Sequence, residues 1–411
     1  MATNGVDGPL KGIKVLDWTM WQMGPVSTAM MGDMGADVIK IEALDGDAGR
    51  AVRRAITLDT GLVADRNGYF ESGNRNKRGI AVDLTTGEGV EIVQKLVEKT
   101  DVFVQNFRQG VAERLGLGYD TLREINPMLV YGSASGYGPN GPDSNLPSFD
   151  GCGQARSGLM MSATPAGALE PNRVTQGASD QMGAIMLAYG IMTALLARER
   201  HGMGQEVNAS HLGSMTYLQG LSVSMKTMAG IAMPRSFRHK AYNPLWNHYR
   251  CKDDLWIALA MLQPDRYWSD FARIIGRPEL AEDPRFDIMA HRSANAEDCI
   301  ALLDEIFATR PRAEWIQRIK DDGADLIYTI VNSVADLPED PQVKANGYIA
   351  EVDHPQHGPT DMVGVPVALS ETPGNIRRVA PELGEHTEEI LTDVLGWDWD
   401  KVGELREKKV I

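Results

Sequence analysis

The residue most able to do chemistry is a single carboxylate, Asp180, which lies between a glycine-rich polar loop and a long apolar run. The run extends from Met182 to Leu196 without a proline, and its Met, Ala, Leu and Ile content favours a buried helix. Asp180 then falls in the first helical turn, where unpaired N–H groups and the positive dipole end stabilise an anion. An ionised carboxylate is a nucleophile that needs no base, so covalent catalysis at Asp180 is one interpretation of the pattern.

Other interpretations of this stretch stay open on these residues alone. An Asp at a helix start is commonly just a cap, worth about 1 kcal/mol. The apolar run is shorter than the ~20 residues that span a bilayer and ends at Arg198, so a core helix is the preferred prediction. Cys152 is a second possible nucleophile, and Asp150 with Asp180 is a possible acid/base pair as in glycosidases, although sequence gives no distance between the two carboxylates.

The elements that must position Asp180 alternate between strand and helix. Strands are predicted at 13–18, 37–42, 79–84, 101–105, 129–133 and 205–209, with helices at 25–34, 85–99 and 211–228 beside the apolar run. This alternation predicts a doubly wound α/β domain with a parallel sheet. A capping box at Thr85 and Glu88 is predicted to start the helix after the third strand. The loop 19–24 follows the first strand, at the sheet edge where ligands bind.

The second half of the chain has a different pattern, which predicts a smaller α+β domain. The elements predicted in this half of the chain are a strand at 255–260, helices at 264–275, 294–308 and 311–322, strands at 348–352 and 365–369, and closing helices at 386–395 and 401–408. The predicted organisation is therefore a large α/β domain at 1–229, a small α+β domain at 230–330, and a linker with a C-terminal segment at 331–411.

Composition excludes several classes of function. A net charge of −15 and a pI near 5.0 argue against non-specific binding to nucleic acid or to an anionic membrane. Three widely spaced cysteines fit a reducing cytoplasm, and the eight histidines form no metal-ligand motif, so no metal is expected. Two local basic clusters stand out against the acidic background, one with Lys77 and Arg78, the other with Arg108 and Arg114. They predict a ligand that carries phosphate groups.

Several motifs in the same order resemble the class III CoA-transferases, the family of formyl-CoA, carnitine and aryl-succinate CoA-transferases. These motifs are LKGIKVLDWTMWQMGP, MGADVIKIE, NRNKRGIAVDL, DVFVQNFRQGVAERLGLGYDTL, SFDGCGQARSGLM, GASD, ARERHGMGQEV and PELGEHTEEIL. The resemblance runs over nearly the whole chain. It implies that an acyl-CoA such as succinyl-CoA gives its CoA to a free carboxylic acid through an aspartyl anhydride and an aspartyl-CoA thioester, with no metal.

The resemblance also assigns roles to individual residues. Asp180 is the expected nucleophile, and Gln22 is expected to hydrogen-bond the reacting carboxyl group. The residues expected to bind CoA are Asn106, Arg114, Lys77, Arg78 and Arg108. The residues expected to line the substrate pocket are Trp21, Phe149, Asp150 and Gln154. Trp18, Trp21 and Phe149 together suggest a bulky or aromatic acceptor such as an aryl-succinate, although core packing explains Trp18 equally well.

For the fold, the resemblance implies a Rossmann-like large domain, a small domain, a C-terminal return to the large domain, and two ring-shaped subunits that interlock. A heteromer with a paralogous subunit stays open beside the homodimer. Two departures from the family pattern stand out: 227–243 lacks the glycine run of a lid, and Phe149 replaces the histidine that the related racemases carry. The Phe149 substitution favours transfer over racemisation; an acyl-CoA racemase and a non-catalytic partner subunit are the alternative predictions.

Overall fold

The computed structural model describes residues 8–52 and 67–411. The chain forms two compact units, each with its own hydrophobic core. Unit 1 comprises the described residues up to Ala163 together with Asn172–Ala232 and Pro341–Ile411. Unit 2 comprises Thr164–Pro171 and Met233–Asp340.

A six-stranded parallel sheet forms the centre of unit 1, as the alternating pattern predicts. Its strands are β1 (Lys14–Trp18), β2 (Asp37–Glu42), β3 (Lys77–Ala81), β4 (Val102–Gln105), β5 (Val130–Ser135) and β6 (Gln205–Ser210). Their order is β3-β2-β1-β4-β5-β6, with every neighbouring pair parallel. Strand order reverses between β1 and β4, and a ligand crevice is expected at the carboxyl end of such a switch point.

Ten helices accompany this sheet in the described part of the chain before Met233. They are α1 (Met23–Asp33), α2 (Gly68–Asn74), α3 (Gly87–Val97), α4 (Val111–Arg114), α5 (Tyr119–Ile125), α6 (Asp150–Arg156), α7 (Leu159–Ser162), α8 (Ala178–His201), α9 (His211–Leu218) and α10 (Gly220–Ala229). Two predicted details were wrong. The cap of α3 is Thr86, whose side chain accepts a hydrogen bond from Gly89, rather than Thr85. The helix predicted at 211–228 is two helices that meet at Gln219.

The apolar run after Asp180 is the long helix α8. Leu187, Ile191 and Leu195 on one of its faces are buried in a core with Val104 and Val130 of the sheet. By length and hydropathy α8 is also the one candidate membrane span in the described residues, a test that core helices of this kind pass as well. Its packing against the sheet supports the predicted core helix.

Unit 2 is built on a three-stranded antiparallel sheet. Its elements are β7 (Trp246–Arg250), β8 (Trp256–Ala260), α11 (Pro264–Ile274), α12 (Met289–Ala294), α13 (Ala296–Phe307), α14 (Arg312–Asp322) and β9 (Tyr328–Val331). Trp268, Phe271, Phe307 and Trp315 fill the core between this sheet and the helices. The strand prediction at 255–260 found β8 and missed β7 and β9.

The C-terminal segment contributes short elements to unit 1. They are α15 (Pro341–Ala345), the antiparallel pair β10 (Ile349–His354) and β11 (Gly358–Val363), α16 (Thr387–Glu389) with a π-helical turn at Ile390–Val394, and α17 (Trp399–Glu407). Ile390, Leu391, Val402 and Leu405 are buried in one core with residues of β1 to β4. The strand predicted at 365–369 was wrong, and β11 lies before it.

Candidate active site

A cavity of about 780 Å³ opens at the carboxyl edge of the unit 1 sheet. Loops that follow β1, β4 and β5 line it, as do the first residue of α9 and the start of α8. The predicted site residues on its wall are Trp21, Gln22, Asn106, Arg108, Phe149, Asp150 and Asp180. Residues from distant parts of the sequence therefore meet at this edge, as parallel topology requires.

Asp180 is the third residue of α8, in its first turn. Its side chain is 16% exposed, which removes most solvent but leaves one face open to the cavity. Oδ1 accepts a hydrogen bond from Nε2 of His211 at 2.8 Å. Across residues 8–52 and 67–411, Oδ2 accepts none and Asp180 pairs with no Lys or Arg. One carboxylate oxygen is thus held, and the other is available to a substrate.

A second carboxylate, Asp150, caps the start of α8. It accepts hydrogen bonds from the backbone N–H groups of Gly177 at 3.0 Å and Ser179 at 2.8 Å, and from the amide of Gln154 at 2.8 Å. Gln154 is fully buried and also donates to the carbonyl of Thr175. Asp150 is therefore engaged in holding the helix start, which argues against an acid/base pair with Asp180. Gln154 supports Asp150 from behind rather than lining the cavity.

Gln22 lies beside the same helix start. A Cβ at Gly177 would come within 2.8 Å of Nε2 of Gln22, and the backbone φ of Gly177 is +75°. Only glycine combines that φ with room for the amide, so Gly177 lets Gln22 reach the first turn of α8. The structure thus brings together the predicted nucleophile and its predicted hydrogen-bonding companion.

A buried ion pair next to the start of α1 changes the role predicted for Lys77. Its ammonium donates to Asp17 Oδ2 at 2.7 Å, to the carbonyl of Pro25 at 2.9 Å and to Asn74 Oδ1 at 2.9 Å. Both charged side chains are fully buried, and burial lowers the pKa of Lys77 to about 8, with Asp17 opposing that shift. All three N–H donors are used inside the protein, so the geometry gives no support to a contact between Lys77 and CoA.

A second buried pair holds the loop that carries Trp21. The ammonium of Lys40 donates to the carbonyl of Thr19 and to Asp47 Oδ2, each at 2.9 Å. Asp47 Oδ1 in turn accepts from the backbone N–H of Trp21, whose φ of +67° is unusual for a residue with a large side chain. These contacts fix the loop between β1 and α1 in a conformation that it would not adopt alone.

The remaining basic residues separate into two groups. Arg78 forms ion pairs with Asp37 and Glu389 and lies away from the cavity wall, so its predicted contact with CoA is also unsupported. Arg108 is exposed and lines the cavity. Arg114 is exposed on α4, outside the lining, with its guanidinium over Gly110.

Asn106 ties two loops of the cavity together. Its side chain accepts from the N–H of Met20 at 2.9 Å and donates to the carbonyl of Met20 at 2.7 Å. Because both ends of the amide are used, the loops after β1 and β4 are joined across the switch point. Asn106 was predicted to contact CoA. In this structure its side-chain amide holds two loops of the cavity wall together.

Two aromatic rings form one side of the cavity. Trp21 and Phe149 meet edge to face with their centroids 5.7 Å apart, and Phe149 is 61% exposed. Trp18, in contrast, is buried against Phe103 and Phe107 in the core, so it lines no part of the cavity. Of the three aromatic residues predicted near the reacting end, Trp21 and Phe149 therefore line the cavity and Trp18 does not.

Sequence reasoning missed two polar residues of the site. His211, the first residue of α9, bridges Asp180 and Ser148, with Nδ1 of the imidazole 3.2 Å from Oγ of Ser148. Tyr69 lines the cavity from α2, where burial and the nearby carboxylates Asp180 and Asp47 raise its pKa and keep the phenol protonated. Cys152, considered as a nucleophile, lies on α6 outside the cavity wall. The position of His211 directly after a predicted parallel strand is the one signal that pointed to it.

The doubly wound sheet with a partly buried carboxylate at its carboxyl edge defines an α/β enzyme, and comparison with known proteins identifies the family. The chain belongs to CoA-transferase family III, whose model matches residues 10–387. It is 31% identical to (R)-2-hydroxy-4-methylpentanoate CoA-transferase of Clostridioides difficile, over 98% of this chain and 99% of that one. It is 32% identical to the succinyl-CoA–L-malate CoA-transferase beta subunit of Chloroflexus aurantiacus, over 98% of each chain.

A solved structure supports the same assignment. A CAIB/BAIF family protein from Brucella suis superposes with a TM-score of 0.83 at 28% identity, covering 94% of this chain and 100% of its own. The predicted resemblance to the class III CoA-transferases is thereby confirmed, and the protein is a CoA-transferase.

Proposed function

We propose that the protein transfers CoA from an acyl-CoA such as succinyl-CoA to a free carboxylic acid, with Asp180 as the covalent carrier. The observation that carries the proposal is the position of Asp180, which lies in the first turn of α8 and lines a 780 Å³ cavity, with one carboxylate oxygen free of hydrogen bonds from the described residues. The positive end of the helix dipole favours the anion there, so the nucleophile is ready without a base.

The first half of the reaction loads CoA onto the enzyme. An oxygen of Asp180 attacks the thioester carbonyl, the C–S bond breaks, and CoA leaves as a thiolate, so that the acyl group remains on Asp180 as a mixed anhydride. The thiolate then attacks Cγ of Asp180, and the donor acid leaves with the bridging oxygen. Both intermediates are activated acyl groups that water would destroy, so the limited exposure of Asp180 protects them.

The second half repeats these steps in reverse order. The acceptor carboxylate attacks Cγ of the aspartyl thioester and releases CoA thiolate, leaving a new anhydride. The thiolate attacks the acceptor's carbonyl, which produces the new acyl-CoA and restores the Asp180 carboxylate. The amide of Gln22 lies beside Gly177 at the start of α8. We propose that it hydrogen-bonds the reacting carboxyl groups.

Trapping tests the covalent carrier directly. Protein incubated with succinyl-CoA and then with hydroxylamine is expected to gain a hydroxamate on the peptide that contains Asp180, as measured by mass spectrometry. Transfer to an acid is followed in the same samples by chromatography of the CoA esters. Transfer without modification at Asp180 would contradict the covalent mechanism while leaving the family assignment intact.

The phosphates of CoA are proposed to interact with Arg108 and Arg114, the exposed basic residues on the cavity wall and beside it. Replacing both with glutamine is expected to raise the KM for acyl-CoA about tenfold or more, with kcat little changed, because these charges act in binding. Initial rates against acyl-CoA concentration at two salt concentrations measure the effect. Arg123→Gln on α5, which replaces another exposed arginine, is the matched control. An equal rise in KM in Arg123→Gln would contradict a specific role of Arg108 and Arg114.

The acceptor is proposed to be a bulky or aromatic acid such as an aryl-succinate. Trp21 and the exposed ring of Phe149 support this, since they give one side of the cavity an apolar face. The names of the two relatives point instead to a branched 2-hydroxy acid and to L-malate. Turnover of benzylsuccinate above that of L-malate is the expected result of a panel of acids. The reverse order would overturn the aromatic acceptor and leave the transfer reaction standing.

We further propose that two chains assemble, as interlocked rings or with a paralogous subunit, and that the enzyme works in the cytoplasm. Exposed apolar side chains on α9 and α10 support assembly, namely Tyr217, Leu218, Leu221 and Met228. The division into domains at 1–229, 230–330 and 331–411 stays a prediction. A solution mass near 90 kDa, about twice the 45.0 kDa chain, is the expected result of light scattering, and a monomer would contradict assembly.

A further inference from the structure

His211 holds one of the two oxygens of the proposed nucleophile. The imidazole is buried, with its side chain 7% exposed, and its Nε2 lies 2.8 Å from Oδ1 of Asp180. An ionised carboxylate can only accept, so Nε2 must carry the proton that is shared in this bond. Nδ1 lies 3.2 Å from Oγ of Ser148, whose hydroxyl also lies 3.4 Å from the carbonyl oxygen of Phe149.

The surrounding backbone fixes this chain of hydrogen bonds. Ser210 caps α9 by accepting from the N–H of Gly213 at 3.0 Å, which sets the first turn that carries His211. Gly136 lies so close to Ser148 that a Cβ there would come within 2.2 Å of Cβ of Ser148. The Ser148 hydroxyl is therefore held against the imidazole, and the imidazole against Asp180.

This arrangement makes the two oxygens of Asp180 chemically different. Oδ1 is bound by His211, whereas Oδ2 of this cavity-lining residue accepts no hydrogen bond from any residue in 8–52 or 67–411. Oδ2 is thus the attacking atom in the proposed mechanism. After acylation Oδ2 is the bridging oxygen of the anhydride, and Oδ1 is the carbonyl oxygen of the aspartyl group.

We propose that His211 is a catalytic residue that donates a hydrogen bond from Nε2 to the oxyanion formed on Oδ1 whenever Cγ of Asp180 is attacked. The inference rests on the proposed covalent function and deepens it. When CoA thiolate attacks Cγ, a C–S bond forms and the carbonyl electron pair moves to Oδ1. The pair returns as the Cγ–Oδ2 bond breaks and the donor carboxylate leaves. No proton is transferred in this step, and His211 acts only as a hydrogen-bond donor.

The geometry fits that role. A donor in an oxyanion hole lies about 2.7–3.1 Å from the oxygen that becomes charged, and the observed distance of 2.8 Å is within that range. The same donor serves the later attack of the acceptor carboxylate on the aspartyl thioester. It does not serve the first step, because the tetrahedral carbon there belongs to the acyl group and its oxyanion is not Oδ1.

Two isotope-exchange reactions separate these steps. Exchange of labelled CoA into succinyl-CoA requires only the anhydride, whereas exchange of labelled succinate also requires attack on Cγ. In His211→Leu we expect succinate exchange to fall about 10²–10³-fold, the usual cost of removing one oxyanion donor. CoA exchange is expected to stay within about threefold. In His211→Gln, which restores an N–H donor, succinate exchange should recover to within about tenfold.

The other outcomes overturn the assignment. Equal loss of both exchanges in His211→Leu would mean that His211 only positions Asp180. Failure of His211→Gln to recover would mean that a proton transfer by imidazole is required. His201→Leu, at the exposed far end of α8, controls for loss of a histidine and should leave both reactions unchanged. If the unaltered protein catalyses neither exchange, the proposed function itself fails, and that result is distinct from the other two.

Discussion

Asp180→Asn is expected to lower the rate of CoA transfer by about 10³-fold or more. Without the carboxylate no anhydride and no aspartyl thioester can form, and the other cavity residues offer binding alone. The amide is close in size to the carboxylate and can still hydrogen-bond His211, so the site is expected to keep its shape. The KM or Kd for acyl-CoA should therefore change little while kcat collapses.

The measurement is the transfer rate together with acyl-CoA binding by calorimetry. Asp120→Asn on α5 removes one carboxylate from an exposed position of the same unit and should leave the rate unchanged. Turnover of Asp180→Asn within tenfold of the unaltered protein would remove Asp180 from the mechanism.

Lys77→Met is expected to destabilise unit 1 by about 3–5 kcal/mol, the usual cost of leaving a buried charge without its partner. The substitution removes three hydrogen bonds and leaves the fully buried carboxylate of Asp17 without its Lys77 partner. Urea unfolding measures the loss. Hydrogen exchange is expected to become faster in the peptides of β1 and β3, which carry Asp17 and Lys77.

Two further variants test the cause of that loss. Lys77→Met combined with Asp17→Asn removes both charges and should recover a substantial part of the stability. Lys95→Met breaks an exposed pair with Glu98 on the surface of α3 and should change the unfolding midpoint little. A small effect of Lys77→Met alone would show that Asp17 is well stabilised by its remaining neighbours Lys40 and Thr28.

Much of unit 1 could be predicted because strand and helix alternate with strong apolar patterns. The buried runs of β1 and β2 identify strands that are covered on both faces. Unit 2 was harder, because β9 is four residues long and three of them are exposed. The strand predicted at 365–369 contains Pro366, which cannot donate to a sheet, and that residue should have counted against it.

Site residues could be predicted where a chemically suitable side chain lies at the end of a predicted strand or the start of a predicted helix. The partners of these side chains were harder to predict, because they come from distant parts of the chain. Asp180 and Gln22 reach the same helix start, in agreement with the family pattern. The basic motif with Lys77 and Arg78 did not indicate that these residues form ion pairs with Asp17 and Asp37. His211 is 31 residues from Asp180, so their contact depends on the packing of α8 and α9.

The chain order of unit 1 also bears on how the protein is made. Its sheet is synthesised first, yet the side chains of Ile390, Leu391, Val402 and Leu405 that complete one of its cores come last. On the ribosome, unit 2 can therefore finish folding while unit 1 still exposes an apolar surface. A nascent chain stalled before residue 341 would present that surface to chaperones, and a recombinant fragment with the same end would be a poor substitute for the whole enzyme.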